Sequence, residues 1–411
     1  MSDKLKVLVV GQTPPPFHGQ AIMIERLLKG EFARVELHHV RMAFSDSIGE
    51  VGRFRFAKVL HLASVILQIT WQRIAHGATV LYYPPAGANR VPVYRDIIIL
   101  CCTRWLFRRT VFHIHATGVS QLYPKLSPFI RFLFRRALFH PDAVIRIAAT
   151  GPNDAELLAP KFNYVIPNGI DDDAGRFRSI VSRPTTGDAN SPLRILFVGF
   201  LRESKGVLDL VEACGQLKQR GVPFRLAVMG QFQSPEFETL LKARIEQLQL
   251  FNQIEFLGLL TGDAKWQAYA QADVLCFPTF YESETFPTVL LEAMSFGLPT
   301  VATRWRGTPE IVDDGVTGYL VEPRDCVAVA DRLAELQSSP DLRLRLSTAA
   351  RKKFIEQFTV EHFWKRMENA FTEVADAKRS MKRNADQLRE TLPWKDAAKP
   401  QAIESEELTT I

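Results

Sequence analysis

Cysteine is scarce in this chain of 411 residues, and none of the five, Cys101, Cys102, Cys214, Cys276 and Cys326, stands in Cys-x-x-Cys spacing. They sit mostly inside apolar runs, which argues for reduced core thiols and against disulfides, a zinc site or redox chemistry. Long hydrophobic runs are missing too. Ile97 to Cys102 with Trp105 to Phe107, and Val59 to Ile69 with His61 inside it, are too short or too interrupted to span a bilayer. The chain opens Met-Ser-Asp-Lys and enters the apolar run Val7 to Val10 directly, so no secretory leader is read and the expected location is the cytosol. Nor does one sign of charge dominate. With 51 Lys and Arg against 45 Asp and Glu the net charge is +6, short of the excess of a nucleic-acid binder, and no DNA or RNA motif is present.

What is present is the composition of a soluble globular protein, 46% hydrophobic and 23% charged, in a chain too long for one comfortable core. Short β-branched runs alternate with helical periods, the pattern of parallel α/β layers. One set of runs starts at Val7 to Val10, includes Ala78 to Tyr83 and Val111 to His115, and closes at Tyr164 to Ile170; a second starts at Arg194 to Gly199. Between them, Asp171 to Pro192 is rich in Asp, Ser, Thr, Gly and Pro and reads as a linker. The expected division is a first domain over 1–175, a second over 190–358, a helix over about 359–380 containing Phe363, Trp364 and Met367, and a polar tail over 381–411.

The most informative local feature is a pair of carboxylates with seven residues between them, Glu284 and Glu292. Val274 to Phe277 reads as a buried parallel strand and Val289 to Phe296 as the helix after it, which places Glu284 on a strand-to-helix loop. Pro287 suits the first helical turn. Free N–H groups at that turn, at Phe286, Thr288 and Val289, would favour a diphosphate over the loop. Glu292, about one turn inside, would repel phosphate, but its oxygens can accept from a ribose diol. By spacing alone the pair is as consistent with two surface charges.

The sequence that follows carries more: Gly297-Leu298-Pro299-Thr300-Val301-Ala302-Thr303, then Gly307-Thr308-Pro309-Glu310-Ile311-Val312, then Asp314 to Val321. Together with the glutamate pair, it resembles the retaining glycosyltransferases of family 4, over most of residues 5 to 370 and most specifically between 274 and 325. The resemblance implies the GT-B fold, two Rossmann-like doubly wound α/β domains facing across a cleft, and sugar transfer from a nucleotide-sugar donor without a metal or other cofactor. It implies that Glu284 contacts the donor sugar and Glu292 the ribose. It also implies that the helix after 359 crosses back to the first domain.

Other candidates follow from strand ends and loops. The loop Gly11 to Ile24 ends at a helix start, where Gly19 would let backbone approach a diphosphate; the resembled family usually has two glycines there, and His18 reads as a loop surface residue. His115, at the carboxyl end of Val111 to Ile114, stands where doubly wound folds place functional groups, and the resemblance puts a histidine there facing the donor sugar. His113 reads as structural. In Gly199 to Val207, Lys205 matches the resembled family's cation for the leaving diphosphate. Phe200 replaces the family's usual arginine, which leaves Arg202 as the nearby substitute. Asp171-Asp172-Asp173 formally offers a metal-binding pair but reads as a linker turn.

These readings point to a retaining, metal-independent hexosyltransferase acting on a nucleoside-diphosphate sugar and a glycan or lipid-linked acceptor, in surface or exopolysaccharide synthesis. With no evident nucleophile, front-face attack is the expectation from the resemblance. A nucleotide-sugar epimerase would need further acid and base groups in the cleft, and a non-catalytic nucleotide-sugar-binding protein would more often lack a cleft carboxylate. Arg53 to Phe56, Arg104 to Arg109 and Arg131 to Arg136 interleave arginines with large apolar side chains, so peripheral contact with an anionic membrane, at the inner face of the cytoplasmic membrane, is expected as well.

Overall fold

A computed structural model describes residues 4–15, 19–42, 56–152, 154–177 and 191–376, with the side chains of 56–59 outside it. His18, the segment Arg53 to Arg55, most of the linker and the tail lie outside the described residues.

Among the described residues, twelve strands form two parallel sheets of six. The first holds β1 (Leu5–Gly11), β2 (Val35–Arg41), β3 (Val80–Tyr83), β4 (Arg109–Ile114), β5 (Ala143–Arg146) and β6 (Phe162–Val165) in the order β2-β1-β3-β4-β5-β6. The second holds β7 (Leu193–Val198), β8 (Phe224–Met229), β9 (Ile254–Gly258), β10 (Val274–Phe277), β11 (Thr300–Thr303) and β12 (Gly318–Val321) in the order β12-β11-β10-β7-β8-β9. The central strands are buried on both faces, which is why they read as unbroken apolar runs rather than alternating ones. Each order reverses direction once, between β1 and β3 and between β7 and β10. At such a switch point the loops at the carboxyl ends diverge and leave a crevice.

In chain order the helices are α1 (Gly19–Leu28), α2 (Phe56–His76), α3 (Arg90–Thr103), α4 (Val119–Leu122), α5 (Pro128–Leu138), α6 (Asp154–Leu158), α7 (Val207–Gln219), α8 (Pro235–Gln247), α9 (Gly262–Gln271), α10 (Thr288–Ser295), α11 (Thr308–Ile311), α12 (Cys326–Ser338), α13 (Pro340–Gln357) and α14 (Val360–Ala375). On the first sheet, α2, α3 and α5 cover the face of Leu8, Val10, Leu81, Tyr83 and Phe112. The opposite face, with Val7, Val9, Val80 and Val111, carries α1 and α14. Helix α14 thus follows the second sheet in sequence but packs on the first. Its Phe363, Met367, Phe371 and Val374 are all but fully buried, and side chains of this size contribute roughly 1.5 to 3 kcal/mol each.

The two crossings between the halves lie side by side, because Ile170 N–H donates to Phe358 O at 3.0 Å and Val360 N–H to Ile170 O at 2.9 Å. Two sequence expectations change here. The strand expected to run to Ile170 ends at Val165, and 166–170 turn toward the second sheet. The start of the linker is not bare: Asp173–Phe177 forms a 3-10 turn whose Ala174 and Phe177 enter the second core. In the linker's aspartate run, Asp171 pairs with Arg26, Asp172 with both Nη of Arg351 and Asp173 with Arg176.

Candidate functional site

The loops at the two switch points enclose a cavity of about 370 Å³ between the sheets. From the first sheet it is lined by Gly19 and Gln20 of α1, by His115 and Ala116 after β4, and by Ile147 and Asn168. From the second come Val198 and Gly199 at the end of β7, Lys205, Phe277 at the end of β10, and residues 283–289. Of the expected site residues, Gly19, His115, Lys205, Glu284, Phe286, Thr288 and Val289 therefore share one cavity.

Local sequence explains how the second-sheet wall is held. Gly206 has φ +76°, and a Cβ there would meet Pro278 O at 2.0 Å, so only glycine lets the loop after β7 close on the loop after β10. Phe280 N–H donates to Ser204 O at 2.9 Å and fastens the same two loops. On this scaffold Lys205 Nζ forms an ion pair with Glu284 Oε2, with both side chains largely screened from solvent. The Lys205 ammonium also lies 4.9 Å from the Tyr281 ring centroid and 5.4 Å from that of Phe277, contacts that favour a cation. Helix α10 begins beside this pair. Its N-cap is Pro287, with φ −68° and ψ 114°, so proline stands just before the first turn rather than within it as the sequence suggested. No side chain caps this helix start and its first turn holds no acidic residue, so its N–H groups and positive dipole end are left for an anion at the cavity.

Across the cavity His115 follows the end of β4, and its carbonyl accepts from Thr285 Oγ1 at 3.3 Å, a direct link between the two walls. His113 is fully buried behind it. The Tyr82 hydroxyl lies 2.7 Å from His113 Nδ1, and the two histidine rings are 4.0 Å apart. Burial, helped by His115, holds the His113 pKa well below its ordinary value of 6.5, so the ring is neutral. That fits the structural role read from the sequence.

Two expected donor residues stand outside the cavity lining. Glu292 is 6% exposed, and its carboxylate accepts from Lys265 Nζ at 2.6 Å and from the Tyr269 hydroxyl at 2.6 Å. Burial, then the neighbouring Glu292 charge, pushes the Tyr269 phenol well above its usual value. Arg202 stacks over Tyr281, its guanidinium carbon 4.6 Å from the ring centroid, and its buried Nε has no hydrogen-bond partner among the described residues. Phe200 is exposed.

Four contributing residues were not picked out from the sequence. Asn168 lines the cavity at 4% exposure, and its Oδ1 finds no hydrogen-bond partner among the described residues. Its signal was the Pro-Asn-Gly turn at 167–169, read only as the close of a strand. Lys265 and Tyr269, which hold Glu292, lie four residues apart on one face of α9. Glu310 accepts from Ala149 N at 2.8 Å, from Thr150 N at 2.6 Å and from Thr150 Oγ1 at 2.5 Å, tying the loop after β5 to α11. Gly307 beside it sits so close to Thr285 O that a Cβ would approach to 2.1 Å.

Residues 181–353, which carry the second-sheet wall of the cavity, match the family described as Glycosyl transferases group 1. That match covers 173 of the 411 residues, the second sheet with most of its helices. Among curated proteins, this chain is 37% identical over 256 residues to a Salmonella typhimurium protein provisionally named as a colanic acid biosynthesis glycosyltransferase, WcaL, over 61% of this chain and 60% of that one. It is 29% identical over 266 residues to the N-acetyl-alpha-D-glucosaminyl L-malate synthase of Bacillus anthracis, covering 64% and 67%. It is 31% identical over 173 residues to the amylovoran biosynthesis glycosyltransferase AmsK of Erwinia amylovora, covering 41% and 42%. The chain thus spans about three-fifths of the length of the first curated relatives. Among solved structures, a glycosyltransferase of Rickettsia africae superposes with a TM-score of 0.65 at 18% identity, over 91% of this chain and 99% of that one. Anabaena HepE in complex with UDP gives 0.66 at 18%, over 90% and 100%. At these identities the likeness is one of fold, the two-domain GT-B architecture.

Proposed function

We propose that the protein is a glycosyltransferase that moves a sugar from a nucleoside-diphosphate sugar to an acceptor hydroxyl, with both reactants enclosed between the two sheets. The observation that carries this reading is the cavity itself. One wall offers an uncapped helix start and a lysine to a diphosphate, with Glu284 beside them, and the other offers His115 and Gly19. In this reading residues 1–175, with α14, form the acceptor side and 190–358 the donor side.

Departure of a nucleoside diphosphate leaves negative charge, and positive groups already in place lower the barrier more than groups that must reorganise. Lys205 and the N–H groups of Thr288 and Val289 are such groups here, and they support a metal-independent reaction. Arg202 joins them if its stack on Tyr281 swings toward the cavity, and Phe286 fixes the turn that presents them. Glu284, now bound to Lys205, exchanges part of that contact for the donor sugar's hydroxyls. Glu292 is proposed to take the ribose; only two of its roughly four acceptor positions are used by Lys265 and Tyr269. His115 and Gly19 complete the donor's enclosure when the walls meet.

Retention of configuration is proposed on the glutamate spacing and the surrounding motif. Work in exopolysaccharide or lipid-linked glycan synthesis is proposed on the relatives named for colanic acid and amylovoran biosynthesis. A cytoplasmic enzyme held peripherally at an anionic membrane fits a lipid-linked acceptor. Among the described residues no helix is long and apolar enough to cross a membrane.

The test is nucleotide release from a panel of nucleoside-diphosphate sugars, with and without a lipid-linked or glycan acceptor. Acceptor-stimulated release with the anomeric configuration kept supports the reading. Interconversion of the donor without release would instead mean an epimerase, and tight nucleotide binding with no turnover a binding protein.

A further inference from the structure

The outer surface of the α2–α3–α5 layer is unlike the rest of the molecule. Residues 56–141 hold eleven Lys and Arg but one acidic residue, Asp96, in a chain whose total excess is +6. That one carboxylate is withdrawn from the surface: Asp96 is 1% exposed and accepts from the Tyr83 hydroxyl, the Ala86 N–H and Arg95, each at 2.7 Å.

On the same layer large apolar side chains face solvent. Leu60, Leu67, Trp71 and Ile74 of α2 are all exposed, and their spacing of seven, four and three residues puts them in one stripe along the helix. Since Val65 and Ile69 fill the core from the other side, α2 carries an apolar stripe on its outer face as well as on its core face, which a helix with only water outside does not need. Exposed Val91 and Ile98 on α3 and Phe129 and Phe132 on α5 extend the patch.

The 3-10 turn Arg104–Leu106 joins these helices at one rim. Arg73 of α2 donates to Leu106 O at 2.9 Å, while Arg104 donates to Ala137 O, Phe139 O and His140 O at the end of α5. Trp105 projects between these anchors at 75% exposure. Arg108, Lys125 and Arg136 are exposed around the patch, and none of the three makes an ion pair among the described residues.

We infer that this face docks flat on an anionic lipid bilayer, with the Trp71, Ile74, Trp105 and Phe132 side chains in the headgroup region and the unpaired cations on lipid phosphates. Indole and phenyl rings favour that depth, and the almost complete absence of carboxylates removes the repulsion an anionic surface would otherwise meet. A protein partner of mixed charge gives no reason for eighty-odd residues with a single, hidden acid. The inference rests on the membrane association proposed above and gives it a face. Phe129, Phe132 and Lys125, at and just before the start of α5, stand toward the carboxyl end of the first sheet, where Gly19 and His115 line the cavity, while Trp71 and Trp105 precede β3 and β4 and stand at its amino end, so the bilayer runs along the whole flank of the sheet.

The test is flotation of the full chain with phosphatidylcholine vesicles, with and without phosphatidylglycerol, at low and high salt. The expected result is binding only to the anionic vesicles, weakened by salt. Trp71→Ser with Trp105→Ser should lower it at least about tenfold. Arg108→Gln, Lys125→Gln and Arg136→Gln together should lower it on the order of a hundredfold, from about a factor of five per charge. All these side chains are exposed, so the thermal unfolding midpoint should stay put. A wild-type protein that remains unbound at low salt overturns the inference, as do variants that float like wild type. So does a stable dimer in light scattering that the tryptophan variant dissolves, since a second copy would then own the face. Nucleotide release is read separately, so loss of one reading leaves the other standing.

Discussion

Replacing Glu292 separates its structural duty from its proposed contact with the ribose. Glu292→Ala leaves two groups without a partner, Lys265 Nζ and the Tyr269 hydroxyl, each now 2.6 Å from a carboxylate oxygen. Tyr269 is fully buried, and an unsatisfied buried hydroxyl costs about 1 to 3 kcal/mol. The Lys265 side chain keeps 23% exposure and can turn to water, so its share is at most about 1 kcal/mol rather than the roughly 3 to 5 of a fully buried broken pair. A total near 1 to 4 kcal/mol, at about 2 to 4 °C per kcal/mol for a domain of this size, lowers the unfolding midpoint of the second domain by roughly 2 to 16 °C. Glu292→Gln keeps an acceptor for Tyr269 and should shift the midpoint by less than half as much. Calorimetric unfolding checks both, and titration calorimetry with nucleoside diphosphates below the midpoint then reads binding. A Glu292→Ala midpoint within about a degree of wild type would refute the stability reasoning. A lowered midpoint with unchanged nucleotide affinity in both variants would refute the ribose contact alone.

Four further outcomes are expected. Glu284→Ala should slow sugar transfer by about a hundredfold or more in kcat with little change in nucleotide affinity, read by steady-state kinetics; equal activity would remove Glu284 from the reaction. Lys205→Ala should weaken nucleoside diphosphate binding and leave Glu284 without its ion-pair partner, and Arg202→Ala should have the smaller effect of the two. Glu310→Ala deletes three hydrogen bonds between the halves and should raise protease sensitivity at residues 147–152 without lowering the midpoint of the second sheet's domain. For pH, the folded His113 resists protonation while the unfolded chain titrates near 6.5. The stability this gives is therefore present above about pH 6.5 and is lost as pH falls toward the lowered folded value, by up to about 1.4 kcal/mol per pH unit. His113→Asn should flatten the dependence of the unfolding midpoint between about pH 7 and pH 5.

The sequence was sufficient wherever the relevant physics is local. The apolar run at 274–277 became β10 at those residues, because a strand covered on both faces needs only a short unbroken apolar segment. Glu284 fell on the loop because the helical period begins again at 288. His115 could be placed at a strand end for the same reason. Where neighbours in space are far apart in the chain, local pattern carried no information. The thirteen residues from Pro14 to Arg26 could not reveal that Arg26 pairs with Asp171, and nothing near Glu292 announced Lys265 and Tyr269 from the preceding strand-helix unit.

What the sequence alone determined is the repeating α/β pattern in two halves, the loop position of Glu284 and the helix position of Glu292, and the deficit of acid in the first half. The tertiary structure decided which of these groups meet. The strand orders reverse at β1/β3 and β7/β10, and this brings His115 and Asn168 opposite Lys205 and Glu284. It turns Glu292 into α9 and leaves Trp71, Trp105 and Phe132 facing outward from one layer. Periodicity says which side of a helix is apolar, but only packing against a sheet says whether an apolar side has been covered.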